Sequence, residues 1–151
     1  KAIDEGCQQV IWLDAVEKKY IEEMGGMNLF FVFKQGDKVK LVTPKLTGTI
    51  LPGITRDSLL TLAKDFGYDI EERLFSTEDW KRGLDDGTLS EVFACGTAAV
   101  VSPVGKVKFP GGEWVISGGE MGPVATKLRE TLLGIQHGQL PDRHGWLHQV
   151  V

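Results

Sequence analysis

The chain has 151 residues, 42% hydrophobic and 25% charged, which is the size and composition of one globular domain able to bury a core. Its net charge is −4 with no basic run, which argues against a nucleic-acid partner. No apolar stretch approaches the roughly 20 residues of a membrane span, and the opening residues carry no signal-peptide pattern. The two cysteines, Cys7 and Cys95, lie far apart in apolar runs. That predicts reduced, buried thiols in a cytoplasmic protein rather than a disulfide framework.

Residues 1–5 read as helix and Gly6 as its stop, yet neither a cap nor a full turn starts that helix. The expectation is that the chain begins inside a helix and is part of something longer. Residues 8–13 hold a short buried-strand run, Val10-Ile11-Trp12-Leu13. Residues 14–19 are polar and predict a turn. Residues 20–23 are short and mixed, and Met24-Gly25-Gly26-Met27 breaks any regular period. Residues 28–33, NLFFVF, are the strongest strand signal in the chain. Gly36-Asp37 turns that strand into a second one at 39–43, predicting a hairpin. Residues 44–49 form a loop that delivers the chain to Leu51-Pro52-Gly53-Ile54-Thr55-Arg56.

Thr55 is placed to be a helix N-cap, and Leu59, Leu62, Ala63 and Phe66 follow at helical spacing until Gly67. A strand is expected at 69–74. Ser76 or Thr77 caps a short helix running to Asp86, and Gly87 ends it. Residues 91–95 read as a strand running into Gly96-Thr97-Ala98. Residues 99–104 are β-like, with Pro103 arguing against a central strand. Another strand pair is expected within 107–116. The last helix starts near Pro123, places Val124, Leu128, Leu132 and Ile135 on one face, and ends at Gly138. Strands and helices mix without a steady βαβ rhythm, which predicts an α+β fold with a mostly antiparallel or mixed sheet.

The turn at 51–56 points backbone N–H groups and the positive end of a helix dipole at one spot, the recipe for holding a phosphate. The same pattern also serves as an ordinary turn. Gly96-Thr97-Ala98 either completes an anion cup or makes a tight bend between strands. Glu22 and Glu23 are strand neighbours, so at most one faces inward. A buried carboxylate there needs a proton or a cationic partner such as a protonated ring nitrogen; otherwise both are solvated. His144 and His148 are spaced to share a helix face, but no carboxylate or thiol completes a metal set, and no metal is expected. Cys95 reads as a structural thiol, and Ser102 lacks a nucleophile-elbow context.

In order along the chain stand Glu22-Glu23-Met24-Gly25-Gly26-Met27-Asn28-Leu29-Phe30, Val42-Thr43-Pro44, Leu51-Pro52-Gly53-Ile54-Thr55-Arg56, Gly96-Thr97-Ala98-Ala99, Gly122-Pro123 and Gly145-Trp146. With these motifs the chain resembles the C-terminal part of branched-chain amino acid aminotransferases, pyridoxal-phosphate (PLP) enzymes of fold type IV, the D-amino acid aminotransferase-like class. The resemblance covers essentially the whole chain. It implies the large, cofactor-binding domain of that α+β fold. It implies that Glu23 pairs with the cofactor's pyridine nitrogen and that Leu51, Gly53, Ile54 and Thr55 form the turn against the cofactor and its phosphate. Thr97 is implied as the second phosphate anchor, and N–H groups at Thr97 and Ala98 as the seat of the substrate carboxylate. Gly26 is implied beside the substrate, where mammalian relatives carry a threonine.

The implied reaction moves an amino group between leucine, isoleucine or valine and 2-oxoglutarate in a cytoplasmic homodimer. The same resemblance implies that no catalytic residue lies in this chain. The Schiff-base lysine belongs to a Lys-x-Gly-Gly-Asn-Tyr stretch upstream of residues 8–13, and Lys1 lacks that context. With it go a tyrosine beside the ring, a phosphate-binding arginine and a small N-terminal domain. This chain alone is therefore expected not to transaminate. Mammalian relatives also carry a Cys-x-x-Cys after Thr97 where this chain has Ala99 and Ser102, so no redox switch is expected there. The rival implications are a D-amino acid aminotransferase or aminodeoxychorismate lyase of the same fold, and a fragment without catalysis.

Overall fold

A computed structural model of the chain describes residues 2–150. The strands β1 (Ile11–Leu13), β2 (Ile21–Met24), β3 (Met27–Gln35) and β4 (Lys38–Pro44) are antiparallel neighbours in turn. Helix α1 (Ile54–Asp65) then crosses over to β5 (Asp69–Arg73), which runs parallel to β4. Helix α2 (Thr77–Asp85) leads to β6 (Leu89–Gly96), which pairs with β3, and β7 (Val100–Pro103) pairs only with β6. A separate hairpin, β8 (Lys106–Phe109) and β9 (Gly112–Val115), precedes helix α3 (Pro123–Gln136). The fold is α+β with a mixed seven-stranded sheet, antiparallel except for β4–β5.

The central strand shows why 28–33 reads as an unbroken apolar run: its two faces serve two cores. Phe30 and Val32 face α1 and α3, packing with Leu59, Leu62, Leu128 and Ile135. Leu29 and Phe31 face α2, where the Phe31 ring stacks on Phe75 at 4.0 Å and meets Trp80 edge-on at 5.0 Å.

One feature of the pairing shapes everything at this end of the sheet. Asn28 pairs with both Glu23 of β2 and Cys95 of β6, whereas Phe31 to Phe33 pair with β4 and β6. Because β6 occupies one edge of β3 throughout, β2 and β4 must share the other edge in succession. They diverge around Leu29 and Phe30, leaving a notch, and the segment at 49–53 fills it. There Thr49 Oγ1 bonds Glu22 (2.6 Å), the Leu51 N–H donates to Glu23 Oε1 (2.8 Å), and Asn28 Nδ2 donates to the Leu51 carbonyl (2.9 Å).

Several expectations need correction. α1 starts at Ile54 with Gly53 as N-cap, not at Thr55, which is the second helical residue. The cause is steric: a Cβ at position 53 would sit 2.3 Å from Asn28 Oδ1, so the chain must turn at a glycine. Residues 3–5 form a single 3-10 turn rather than the end of an α-helix, though Gly6 does close it with φ +74°; Lys1 lies outside the described residues. Residues 20–23, read as mixed, supply strand β2, and the Met-Gly-Gly-Met break is its two-residue hairpin turn to β3, with Gly25 at φ +66°. The residues around His144 and His148 are irregular rather than helical. Cys7 is only half-buried, while Cys95 is buried as expected. Pro103 ends an edge strand, where a missing N–H is tolerated. Ser76 caps α2 through a reciprocal box with Asp79, and Gly122 with Pro123 opens α3.

Candidate functional site

Three turns meet at the end of the sheet where β3 begins and β6 ends. The Gly25–Gly26 turn precedes Met27, and residues 97–99 follow Gly96 on the adjacent strand. The notch turn at 51–53 is the third, held by Asn28 beside both. Of the residues singled out from sequence, Gly26, Thr97 and Ala98 lie exposed on the first two turns. Leu51, Gly53, Ile54 and Thr55 belong to the third and the helix it starts. Glu23 reaches that third turn through its hydrogen bond to Leu51. The arrangement is open: Leu51 is 65% exposed and Ile54 82%. Two surface hollows lie elsewhere, one of about 410 Å³ between β1, α2 and the β8–β9 hairpin, the other along α3.

Residues paired across antiparallel strands project to the same face. Trp12, Glu23, Asn28, Cys95 and Val101 thus form one row across five strands, on the face that α1 and α3 cover. Along that row the chemistry changes from a half-exposed indole to a carboxylate, an amide and a buried thiol. Burial pushes the Cys95 thiol up to about 12, only partly opposed by the positive charge of Arg56, so it is inert at neutral pH. Glu22, the neighbour of Glu23, takes the Thr49 hydroxyl instead. The two glutamates are each half-buried, and each is engaged by the loop that fills the notch.

α1 is rooted by Arg56, buried at 4% exposure in its first turn. Arg56 Nη2 donates to Glu72 Oε2 (2.6 Å) and to the Pro44 carbonyl (3.3 Å), tying the helix start to β4 and β5. A cation at this end opposes the helix dipole. The first turn also lacks any capping side chain, since its N-cap is glycine. By contrast, α3 receives a carboxylate from within the fold, because Glu91 accepts the N–H groups of Val124 and Ala125. The start of α1 is therefore an uncapped backbone end whose dipole complements an anion, with Arg56 already paired to Glu72. Glu23 Oε1 is used by Leu51, which leaves Oε2 for a cationic or N–H partner. A phosphate complements the helix end, and a protonated nitrogen complements the carboxylate.

Sequence reasoning placed Asn28 in a strand but gave it no role. The signal was there: a lone amide in an apolar run, on a position the strand period buries, needs a partner. No cluster of three or more histidine, cysteine, aspartate or glutamate side chains suited to a metal occurs among the described residues. No helix among them is long and apolar enough to cross a membrane.

The chain matches the amino-transferase class IV family over residues 1–107. It is 54% identical over 147 residues to the branched-chain-amino-acid aminotransferase of Mycolicibacterium smegmatis, covering 97% of this chain and 40% of that protein. It is 56% identical over 148 residues to a probable branched-chain-amino-acid aminotransferase of Streptomyces coelicolor, covering 98% of this chain and again 40% of the other. The chain thus spans about two-fifths of the length of these relatives. Its fold is similar to that of the Escherichia coli branched-chain amino acid aminotransferase, with a TM-score of 0.77 at 37% identity over 98% of this chain and 44% of that one. A second solved branched-chain amino acid aminotransferase, complexed with N-(5'-phosphopyridoxyl)-L-glutamate, matches with a TM-score of 0.72 at 32% identity, over 97% of this chain and 44% of that one. The sheet with its divergent β2 and β4, the three convergent turns and the likeness over nearly every residue agree: this chain belongs to the class IV amino-transferase family.

Proposed function

We propose that these 151 residues are the cofactor-binding part of a PLP-dependent branched-chain amino acid aminotransferase. The observation that carries this reading is the bond from the Leu51 N–H to Glu23 Oε1, which ties a carboxylate to the turn that leads into an uncapped helix end. In this reading the N–H groups of Ile54 and Thr55 hold the cofactor phosphate and Thr97 anchors it from the second turn. Leu51 and Gly53 line the ring's path from that phosphate to Glu23. Glu23 holds a proton on the ring nitrogen. When bound, the cofactor supplies an electron sink for the bond broken at the substrate's α-carbon. The N–H groups of the exposed residues Thr97 and Ala98 orient the substrate carboxylate by the same backbone-anion logic. Gly26, on the β2–β3 turn with open space where a Cβ would stand, leaves room for a branched side chain. The Schiff-base lysine and the small N-terminal domain belong to the rest of the enzyme, which we place in the cytoplasm as a homodimer.

The test takes a full-length protein that carries these residues, loaded with PLP and given leucine without a keto-acid acceptor. Release of about one equivalent of the leucine keto acid per site, followed by turnover once 2-oxoglutarate is added, is the expected result. No release from leucine, with release from a D-amino acid or reaction with aminodeoxychorismate, would keep the fold and discard this substrate class. The 151-residue chain alone is expected to release none, because it offers no lysine in the required context.

A further inference from the structure

We propose that Asn28 is a positioning residue that fixes the phosphate-holding start of α1 relative to the Glu23 carboxylate. The proposal rests on the cofactor reading above and concerns a residue that reading does not use.

The backbone of Asn28 is held on both sides, pairing with Glu23 on one and Cys95 on the other. Its side chain is 6% exposed and crosses the notch left by the divergence of β2 and β4. Nδ2 donates to the Leu51 carbonyl at 2.9 Å. Oδ1 occupies the space where a side chain at position 53 would begin, 2.3 Å from an ideal Cβ there. The orientation of the amide follows from its partner: reversed, it would set two acceptor oxygens against each other.

Leu51 is thus gripped twice. Its N–H goes to Glu23 and its C=O to Asn28, two residues that face each other across β2 and β3. The grip lies two residues before the N-cap of α1, with only Pro52 and Gly53 between it and the helix. A rigid sheet therefore sets where the first N–H groups of the helix point. Asn28 and Gly53 form a matched pair, an amide and the absence of a Cβ, brought together from distant parts of the sequence. Aspartate in place of Asn28 would repel the Leu51 carbonyl, and an apolar residue would leave that carbonyl only the Gly53 N–H (2.8 Å) and untie it from the sheet.

Such a clamp acts on the phosphate end and leaves the ring-nitrogen end to Glu23. Two ligands separate these ends: pyridoxamine 5'-phosphate, which carries both, and pyridoxamine, which lacks the phosphate. Neither depends on a lysine bond. Their dissociation constants are measured by equilibrium dialysis on the full-length apoenzyme and its variants.

Asn28→Ala is expected to weaken pyridoxamine 5'-phosphate about tenfold while pyridoxamine changes less than about twofold. Gly53→Ala is expected to give the same selective loss. In the Asn28→Ala background, adding Gly53→Ala should cost less than about twofold more, because the opposing amide is gone. Equal weakening of both ligands by Asn28→Ala, no change in either, or full additivity of the two substitutions would overturn the proposal. If circular dichroism shows Asn28→Ala unfolded, the ligand ratio in Gly53→Ala decides alone. Wild-type enzyme that binds the two ligands equally would overturn the cofactor reading itself and the proposal with it.

Discussion

Glu91 and Ala125 are joined by a buried hydrogen bond, the Ala125 N–H donating to Glu91 Oε2 at 2.9 Å. Val124 donates to the other oxygen at 3.1 Å, and Lys34 Nζ stands 3.6 Å from it. A carboxylate from the middle of the sheet thus caps α3, and Gly122 leaves it room, since a Cβ there would fall 2.1 Å from the carboxylate carbon. Glu91→Ala strands two buried N–H groups and is expected to cost about 2–4 kcal/mol. Glu91→Gln keeps one acceptor and should cost less. Urea denaturation of the two variants checks the order, and equal stabilities would refute the capping role.

Gly83→Ala should destabilise, although a helical glycine replaced by alanine normally gains about 1 kcal/mol. A Cβ at position 83 in α2 would lie 2.8 Å from Phe33 Cε1 and 3.0 Å from Leu89 Cβ. Leu89 is a buried strand residue, and the Phe33 ring packs edge-on to Phe75 at 6.1 Å, so both neighbours resist displacement. Overpacking of about 1–3 kcal/mol outweighs the propensity gain. A raised melting temperature would show that α2 is free to lift.

Cys95 sets an alkaline limit. Its folded-state pKa is raised to about 12 against an unfolded value of 9.0, so the folded state favours the neutral thiol. The stabilisation is complete below pH 9 and is lost as pH rises towards 12. Cys95→Ala should flatten that part of the stability profile. In the native protein at about pH 8, a thiol reagent should modify half-buried Cys7 and leave Cys95 untouched.

Asp79 sets an acid one. Burial opposes its ionisation, but the Ser76 N–H and the Arg73 guanidinium outweigh burial and hold its carboxyl at about 2. Its contribution is therefore present above pH 3.8 and lost as pH falls from there towards 2. Ser76→Ala, which removes the capping hydroxyl, should cost about 1 kcal/mol at neutral pH. Fluorescence of Trp80, buried in α2, follows both transitions.

The tail is pinned at two carboxylates. Asp142 accepts the N–H groups of His144 and Leu147, and His144 Nε2 bonds Asp65 at the end of α1 while its ring stacks on Trp146. Asp65→Ala should release this segment without unfolding the core and speed cleavage after Arg143 by trypsin at least severalfold. An unchanged cleavage rate would mean that Asp142 alone suffices.

Much of this architecture was legible in the residues. Glycines at 67, 87 and 138, the Ser76 box and Pro123 marked helix ends by local chemistry, and local chemistry is what a sequence displays. The β3 run was legible because both of its faces are buried. β2 was not, since Ile21-Glu22-Glu23-Met24 has too few residues to show a period and its identity depends on a partner. The start of α1 was misread for a related reason. Thr55 satisfies every local rule for a cap, but Asn28, far away in sequence, dictates a glycine at the turn. The notch is a property of pairing alone, and no single segment announces it.

The two longer helices differ in where their counter-anion comes from. α3 has it built in, from Glu91, whereas no side chain caps α1, and under the proposed function its anion comes from solution. In a protein free of cofactor, the amide protons of Ile54 and Thr55 should therefore exchange at a rate set by the buffer, slowed by phosphate or sulfate and indifferent to chloride. Those of Val124 and Ala125 should exchange slowly in all three. The salt in which the protein is kept thus becomes one determinant of its local order.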